Sequence, residues 1–575
     1  MIDILIVGAG PSGLCAAKTF LQYNKDADVV LVDAHATLGG VWAQEQLYPT
    51  LKTNNLFSSL DFTDFPMEPS RFGVGPEEHI PGDVMHAYLA AYAEHFNITP
   101  KIRFNTRVIE IRRRPGKDGW DVETTSTTTT DGKVSTVLSC RRLVVATGVL
   151  SVPHLPTIQG AEDFDAPIIH SSELGPKADA VFHNPEIKTV AVLGGCKSAY
   201  DAVYLAATTG HKVEWIIRKS GRGPTWVFPT HTFLGPFRAW REKLVTRRVI
   251  SLMSPWVWPD LSGFGWLRDI LHGGNRVGDF IKTKFWAAIH ADTVRDCLYR
   301  TDDRLGVLEP EQSPYWYGTA SGVLNYDTAF HALITSNQVR IHREDISHLT
   351  PHHVHFSSSS ATPLPIDALI ASTGYSSKPT ITFSPPTLHS ALGVPTTSLS
   401  KPQRAFWATL DTEADARIAQ THPSLLLGPP SFNPGATAEI AYTPWRLYRG
   451  IAPPGLTAEG DRSLVFIGMF SNIANTLRLE IQCLWALAYL EGTAMPNVEK
   501  DVDEGTVYAE AALLQRYAQL RAPYGHGRLY PDLVFDQLPY WDGLLADVGL
   551  VEPYGQGDYV GVVAEWIDKL KTKTK

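Results

Sequence analysis

Ile2-Asp3-Ile4-Leu5-Ile6-Val7-Gly8-Ala9-Gly10-Pro11-Ser12-Gly13 runs an apolar strand straight into three glycines at G-x-G-x-x-G spacing. Gly8 permits the tight turn, Gly10 lets the backbone approach a pyrophosphate, and Gly13 lets helix and strand pack closely. The N-terminus of the helix that follows faces the negative charge. A helix over Leu14–Tyr23 and a strand over Val29–Val32 complete the unit. Asp33 ends that strand 20 residues beyond Gly13, where a carboxylate bonds a ribose hydroxyl. A lone glycine fingerprint is weak, but here every contextual requirement is met.

A second such unit begins at a strand over Thr189–Leu193, followed by the turn Gly194-Gly195-Cys196-Lys197-Ser198-Ala199, a helix over Ala199–Thr208 and a strand over Lys212–Ile217. Cys196 stands where the middle glycine belongs, and it is tolerated only with its side chain turned inward. The second strand ends in Arg218-Lys219 instead of an acid. An arginine there suits a 2′-phosphate, so NADPH is expected over NADH. Two βαβ units predict an α/β chain with two Rossmann-like sheets and a helical insertion.

Between the units, Ile102–Arg112, Trp120–Thr124 and Val134–Ser139 alternate as the strands of a meander, with Thr-rich Thr124–Thr130 as a hairpin loop. Residues from Thr225 to about Pro314 carry six tryptophans among helical patterns, which predicts a small helical subdomain with its own core. Lining of a substrate channel and a peripheral membrane contact are the alternatives. Ser376–Glu459, rich in Pro, Ser and Thr, reads as long loops.

The chain has 575 residues and a net charge of −9 without a basic stripe, which argues against nucleic acid as a partner. Five dispersed cysteines without a C-x-x-C pair point to a reducing compartment and exclude a dithiol disulfide reductase. With an opening directly on a strand and no run of ~20 apolar residues, the expectation is a cytoplasmic protein. His353 and His355 alternate along a strand and lack a third ligand, so no metal site is expected.

After the first fingerprint come Gly39-Gly40-Val41-Trp42, then Thr53-Asn54 and, ten residues on, Asp64-Phe65-Pro66. These motifs resemble the flavin-containing monooxygenases, which carry G-G-x-W, T/S-N and D-F-P in that order. Val144–Gly148 and Asp367–Tyr375 resemble the family's two A-T-G links. Phe466-Ile467-Gly468, Glu480-Ile481-Gln482 and Trp485 resemble its F-I-G…E-x-Q-x-x-W closure. Tyr540-Trp541-Asp542, Leu545-Ala546, Gly549 and Pro553 resemble its C-terminal pattern. The signature F-x-G-x-x-x-H-x-x-x-(F/Y) is kept at Phe164 and His170, with Ala166 for the glycine and Leu174 for the aromatic.

The resemblance implies FAD held by Gly8, Gly10, Ser12, Gly13, Asp33, Gly40, Val41, Trp42, Thr53, Asn54, Asp64, Val108, Ala146, Thr147, Gly148, Thr373, Gly374 and Gln482. It implies NADPH at Gly194, Lys197, Ser198, Ala199, Arg218 and Lys219. Asn54 would act beside the reacting oxygen, and His170 as a linker and gating residue. The implied domains are an FAD-binding one over 1–160 and 366–575, with a loop-rich insertion at 376–459, and an NADPH-binding one over 161–225 and 315–365. A Trp-rich, mainly helical insertion would span 226–314. The implied activity is transfer of one oxygen atom from O₂ to a small organic substrate through a flavin C4a-hydroperoxide, with nitrogen or sulfur as acceptor. A Baeyer–Villiger or carbon-oxidising reaction is the alternative within the class. A flavoprotein reductase, an NADPH oxidase or a non-catalytic nucleotide sensor are the alternatives outside it.

Overall fold

The computed structural model describes residues 1–549 except 118, 129–134, 150, 235–236, 359–361, 431–441, 494 and 505. Two sheets organise the chain. The first contains β1 (Ile2–Val7), β2 (Val29–Val32), β3 (Ile102–Arg103), β4 (Thr106–Arg113), β5 (Trp120–Ser126) and β6 (Ser135–Val145). The second holds five parallel strands: β7 (Ile168–His170), β8 (Thr189–Leu193), β9 (Lys212–Ile216), β10 (Val339–His342) and β11 (Ala368–Ala371), ordered β7-β11-β8-β9-β10. The chain then returns to the first sheet with β12 (Thr382–Ser384) and β13 (Leu464–Phe466).

β6 joins the two halves of the first sheet. Its first half runs antiparallel to β5, with Trp120 opposite Cys140. Its second half lies parallel between β1 (Val7 opposite Val145) and β13 (Phe466 opposite Val145). The parallel strands are short Val, Ile and Leu runs buried on both faces, as sheets covered by helices on each side demand. Each such side chain taken from water contributes ~1.5–3 kcal/mol.

Helix α1 (Pro11–Tyr23) follows β1, α2 (Lys197–Thr208) follows β8, and α3 (Asn475–Glu491) packs lengthwise on α1. The helix after β1 starts at Pro11 instead of Leu14. A proline fits the first turn, where no N–H is needed and its φ is already helical. The predicted strand Ile102–Arg112 is two strands. Asn105, with φ +52°, breaks it so that β3 joins the parallel sheet and β4 the meander.

Among the described residues the Trp-rich stretch forms no core of its own. Trp256, Val257 and Trp286 belong to the core beneath α1 and α3, while Trp226 and Val294 belong to that of the second sheet. Trp266 is 62% exposed. The stretch therefore bridges both bodies. It also contains a hairpin of His231–Leu234 against Phe237–Trp240. The Ser376–Glu459 stretch is not all loop: a 21-residue helix, Lys401–Thr421, starts at a capping box of Ser400 and Gln403. Its buried side chains, Trp407, Ala414 and Ile418, are too sparse to register against its polar flanks. Parts of the Thr-rich loop, part of the Ser376–Glu459 stretch, Val134 and Pro553 lie outside the described residues. Among the described residues no helix is long and apolar enough to cross a membrane.

Candidate active site

The turn after β1 is closed to side chains at two of its three glycines. Gly8 has φ +111°, and a Cβ on it would stand 2.6 Å from the Ala146 carbonyl oxygen; one on Gly13 would stand 1.8 Å from the Gly8 oxygen. Gly10 is different. Its φ is −75°, and the nearest atom to a Cβ would be the Gly40 Cα at 3.5 Å, an ordinary contact. The protein's own packing does not require glycine at position 10. A group lying against the helix N-terminus would, and FAD fits this cradle. Gly39 and Gly40, both at positive φ, lead a single 3₁₀ turn, Gly40–Trp42, past Gly10, and leave Val41 exposed.

Asp33 is buried at the end of β2, where it accepts the N–H groups of Ala9 at 2.6 Å and His35 at 2.8 Å. Burial pushes its carboxyl up, but hydrogen bonds from the His35 ring, the His35 backbone and Ala9 together hold it below its usual range. It stays ionised with acceptor capacity left for a ribose hydroxyl. Ser12 faces Gly468, where a Cβ would meet its Oγ at 2.6 Å, and the Gly468 N–H donates to Gln482 Oε1 at 3.3 Å. Gln482 thus supports the Phe466-Ile467-Gly468 turn from α3. Val108 packs its side chain into the core of the meander.

At the second turn Gly194 has φ +140°, and a Cβ there would stand 2.2 Å from the Ser372 oxygen. Cys196 turns its thiol inward to donate to that same carbonyl at 3.3 Å, as a residue replacing the middle glycine must. Ala199 is fully buried against the sheet. A cavity of 630 Å³ lies over this turn, lined by Thr147, Gly148, Gly194, Lys197, Ser198, Arg218, Thr373 and Gly374 among others. Gly148 and Gly374, at φ +68° and +80°, would have nothing within 4 Å of a Cβ, so the cavity is open at both links. Arg218 makes no side-chain hydrogen bond or ion pair among the described residues, whereas its neighbour Arg222 donates to the Tyr524 and Gly525 carbonyls.

Several residues expected at the cofactors engage their side chains with other parts of the protein. Lys219 is exposed and pairs with Glu344 at 3.0 Å, outside this cavity. Lys197 does not reach toward a phosphate. Its ammonium pairs with Asp201 and bonds Asn325 Oδ1 at 2.8 Å and the Tyr326 hydroxyl at 3.1 Å. Asp64 lines neither large cavity and pairs with buried Lys18 on α1, so it fastens that helix to the Phe62–Phe65 turn. Thr53 is buried, and its hydroxyl bridges the Asn55 carbonyl at 2.6 Å and the Ile80 N–H at 3.0 Å. Thr373 donates from Oγ1 to the His154 carbonyl.

His170 is fully buried. Its Nδ1 accepts the Ser172 N–H at 3.1 Å, and its Nε2 donates to the Gly374 carbonyl at 2.9 Å. Burial holds it below the usual histidine range, so it is neutral with the proton on Nε2. It pins the second link and has no free nitrogen for acid–base work. His355 stacks on His348 at 4.2 Å on an antiparallel ribbon.

A second cavity of 880 Å³ opens beside the strand Lys52–Leu56, which carries Asn54. Strand alternation sends the two asparagines to opposite faces. Asn54 is exposed into the cavity with no side-chain hydrogen bond among the described residues. Asn55 is buried and donates from Nδ2 to Glu242 Oε1 and, at 3.2 Å, to the Ile473 carbonyl. The walls are mostly apolar, with Phe228, Leu244, Val245, Ile250, Phe285, Trp286, Ile289 and Phe535 from the Trp-rich stretch and the C-terminal loop. Arg241 and Asp292 also line it but neutralise each other. Burial raises the Glu242 carboxyl, and the Asn55 bond is the largest opposing influence. Glu242, Asn55 and the loop Gly318–Ser321 were not legible as site residues. Thr319 and Ser321 of that loop line both cavities, which therefore share a wall.

Residues 5–230, which hold both glycine turns, match the family model of pyridine nucleotide-disulphide oxidoreductases. The chain is 33% identical over 560 residues to an FAD-dependent monooxygenase of Pyrenophora dematioidea, covering 96% of this chain and 98% of that one. It is 31% identical to the FAD-dependent monooxygenase resA of Aspergillus sclerotiorum, covering 100% and 99%. Its fold is like that of an oxidized steroid monooxygenase bound to NADP, with a TM-score of 0.56 at 16% identity over 100% of this chain and 98% of that one. Identity of this extent along the whole length, with the FAD cradle of α1 intact, makes the chain a member of the FAD-dependent monooxygenases.

Proposed function

We propose that the enzyme consumes NADPH and O₂ and delivers one oxygen atom to a nitrogen or sulfur nucleophile on a largely apolar substrate. The observation that carries this reading is the shared wall. The cavity over the second glycine turn and the apolar cavity presenting Asn54 meet at Thr319 and Ser321. Bound FAD, reduced by the nicotinamide nucleotide, supplies the activation of O₂. The chain's own residues do the rest. Gly10 and the α1 N-terminus seat one pyrophosphate, and the turn at Gly194 and the α2 N-terminus seat the other. The apolar lining excludes water and keeps an amine in its neutral, nucleophilic form. Asn54 offers a donor and an acceptor without adding charge.

The test is stoichiometry. Substrate-dependent NADPH oxidation should match oxygenated product one for one, with little peroxide. NADPH oxidation that yields only peroxide, with or without substrate, would mark an oxidase.

The nucleotide preference should sit on Arg218. A charge-assisted bond to a phosphate is worth ~1.5–3 kcal/mol, about ten- to a hundred-fold in binding. Arg218→Ala should raise KM for NADPH by that factor and leave NADH nearly unchanged. Equal losses for both nucleotides in steady-state assays would make Arg218 merely structural.

A further inference from the structure

The strand that presents Asn54 is gripped from two sides. On the side of the second sheet, Asn325 donates from Nδ2 to the Lys52 carbonyl at 3.2 Å and the Thr53 carbonyl at 3.1 Å, and its own Oδ1 receives Lys197 from the start of α2. On the other side stands Glu242, on the short helix Arg241–Val245 of the Trp-rich stretch. Its Oε1 accepts the Asn55 side-chain N–H and its Oε2 accepts the Leu56 backbone N–H at 3.1 Å. Asn54 lies between the two grips with its own amide unengaged.

We propose that Glu242 is a positioning residue for oxygen transfer: its carboxylate holds Asn55 and the Leu56 N–H, and so sets the Asn54 amide at a fixed height in the substrate cavity. The inference rests on reading that cavity as the place where oxygen is transferred.

Two features of the geometry ask for a carboxylate here. Both strand groups that approach Glu242, the Asn55 amide and the Leu56 N–H, are donors, the Ser59 hydroxyl bonds it as well, and only a carboxylate offers two acceptor oxygens of equal kind. Asn55 also cannot turn its amide over to suit another partner. The same Nδ2 bonds the Ile473 carbonyl at 3.2 Å, and a flipped amide would set Oδ1 against that oxygen. A glutamine at 242 would therefore face one of its two donors with an N–H. Glu242 forms no ion pair among the described residues, and its acceptor capacity goes to Asn55, Leu56 and Ser59. The grip also explains why the Trp-rich stretch, which walls the cavity, is tied at this point to a strand next to the first sheet.

Glu242→Gln should lower oxygenated product per NADPH consumed by about tenfold, the scale of one hydrogen bond to a charged group, with a matching rise in peroxide. FAD content, KM for NADPH and the anaerobic rate of flavin reduction should stay within about twofold, since Glu242 and Asn55 line the substrate cavity and not the cavity over the second glycine turn. Asn55→Ala, which removes the donor and keeps the carboxyl, should uncouple similarly, and the double variant should be no worse than the stronger single one. Asn54→Ala is measured alongside. Tight coupling in both Glu242→Gln and Asn55→Ala beside an uncoupled Asn54→Ala would overturn the inference and leave the reading of the cavity intact. Tight coupling in all three would overturn both. Should Glu242→Gln not fold, Asn55→Ala alone decides by the same ratio.

Discussion

Gly10→Val protein is expected to fold and emerge colourless, whereas Gly13→Ala protein is expected not to fold. The two positions are three residues apart in one motif, yet the structure gives them different duties. A Cβ on Gly13 falls 1.8 Å from the Gly8 carbonyl oxygen, and neither β1 nor α1 can yield without unseating the sheet. Overpacking of well-filled interiors costs ~1–3 kcal/mol, and a backbone clash as short as this exceeds that range. At Gly10 the backbone is in a conformation open to any residue, and the nearest neighbour of a new Cβ is 3.5 Å away. A Cβ there meets the protein at ordinary contact distance and points the substitution at what lies against the helix N-terminus. Absorbance of FAD in the purified protein, with circular dichroism to confirm folding, separates the two. Stoichiometric FAD in Gly10→Val would place the pyrophosphate elsewhere.

Asn54→Ala should leave flavin reduction by NADPH near normal and cut oxygenated product by ~10²–10³, the usual cost of one preorganised donor. The side chain stands exposed in the 880 Å³ cavity without a protein partner among the described residues, so truncation breaks no packing and no internal bond. What is lost is a hydrogen-bonding group in a mostly apolar space, where it acts more strongly than in water. Peroxide release should rise as product falls. Stopped-flow measurement with and without oxygen decides: slowed anaerobic reduction, with product still coupled to NADPH, would place Asn54 outside the oxygen-transfer site.

The two glycine turns were legible because their chemistry is local. Strand, turn and helix sit within residues 2–23 at the first and 189–208 at the second, and the glycine at position 13 follows from a backbone approach to Gly8 inside that span. The inward thiol of Cys196 was legible as a requirement, and its partner Ser372 was not, since that carbonyl comes from a strand end 176 residues away. Asp64 shows the limit of spacing as a guide. Its distance from Asn54 fits the family pattern, but its use depends on Lys18, a charge buried on the inner face of α1 that reads as a surface lysine. The cavity was hidden for the same reason. Asn55, Glu242 and Ile473 meet across separations of 187 and 418 residues, and nothing in the local pattern of any of them announces the others. The six tryptophans suggested a separate core, yet Trp256, Trp258 and Trp286 join one larger core, Trp226 joins another, and Trp266 is exposed.

Mass spectrometry of products formed under ¹⁸O₂ with NADPH, using a panel of apolar tertiary amines, thioethers and ketones, decides whether the enzyme delivers oxygen to a substrate. One ¹⁸O atom per molecule is expected on nitrogen or sulfur, in yield equal to the NADPH oxidised, with product lost in Asn54→Ala. Label recovered only in peroxide across the whole panel, with NADPH consumed at the same rate whether or not substrate is present, would contradict oxygen delivery to a substrate.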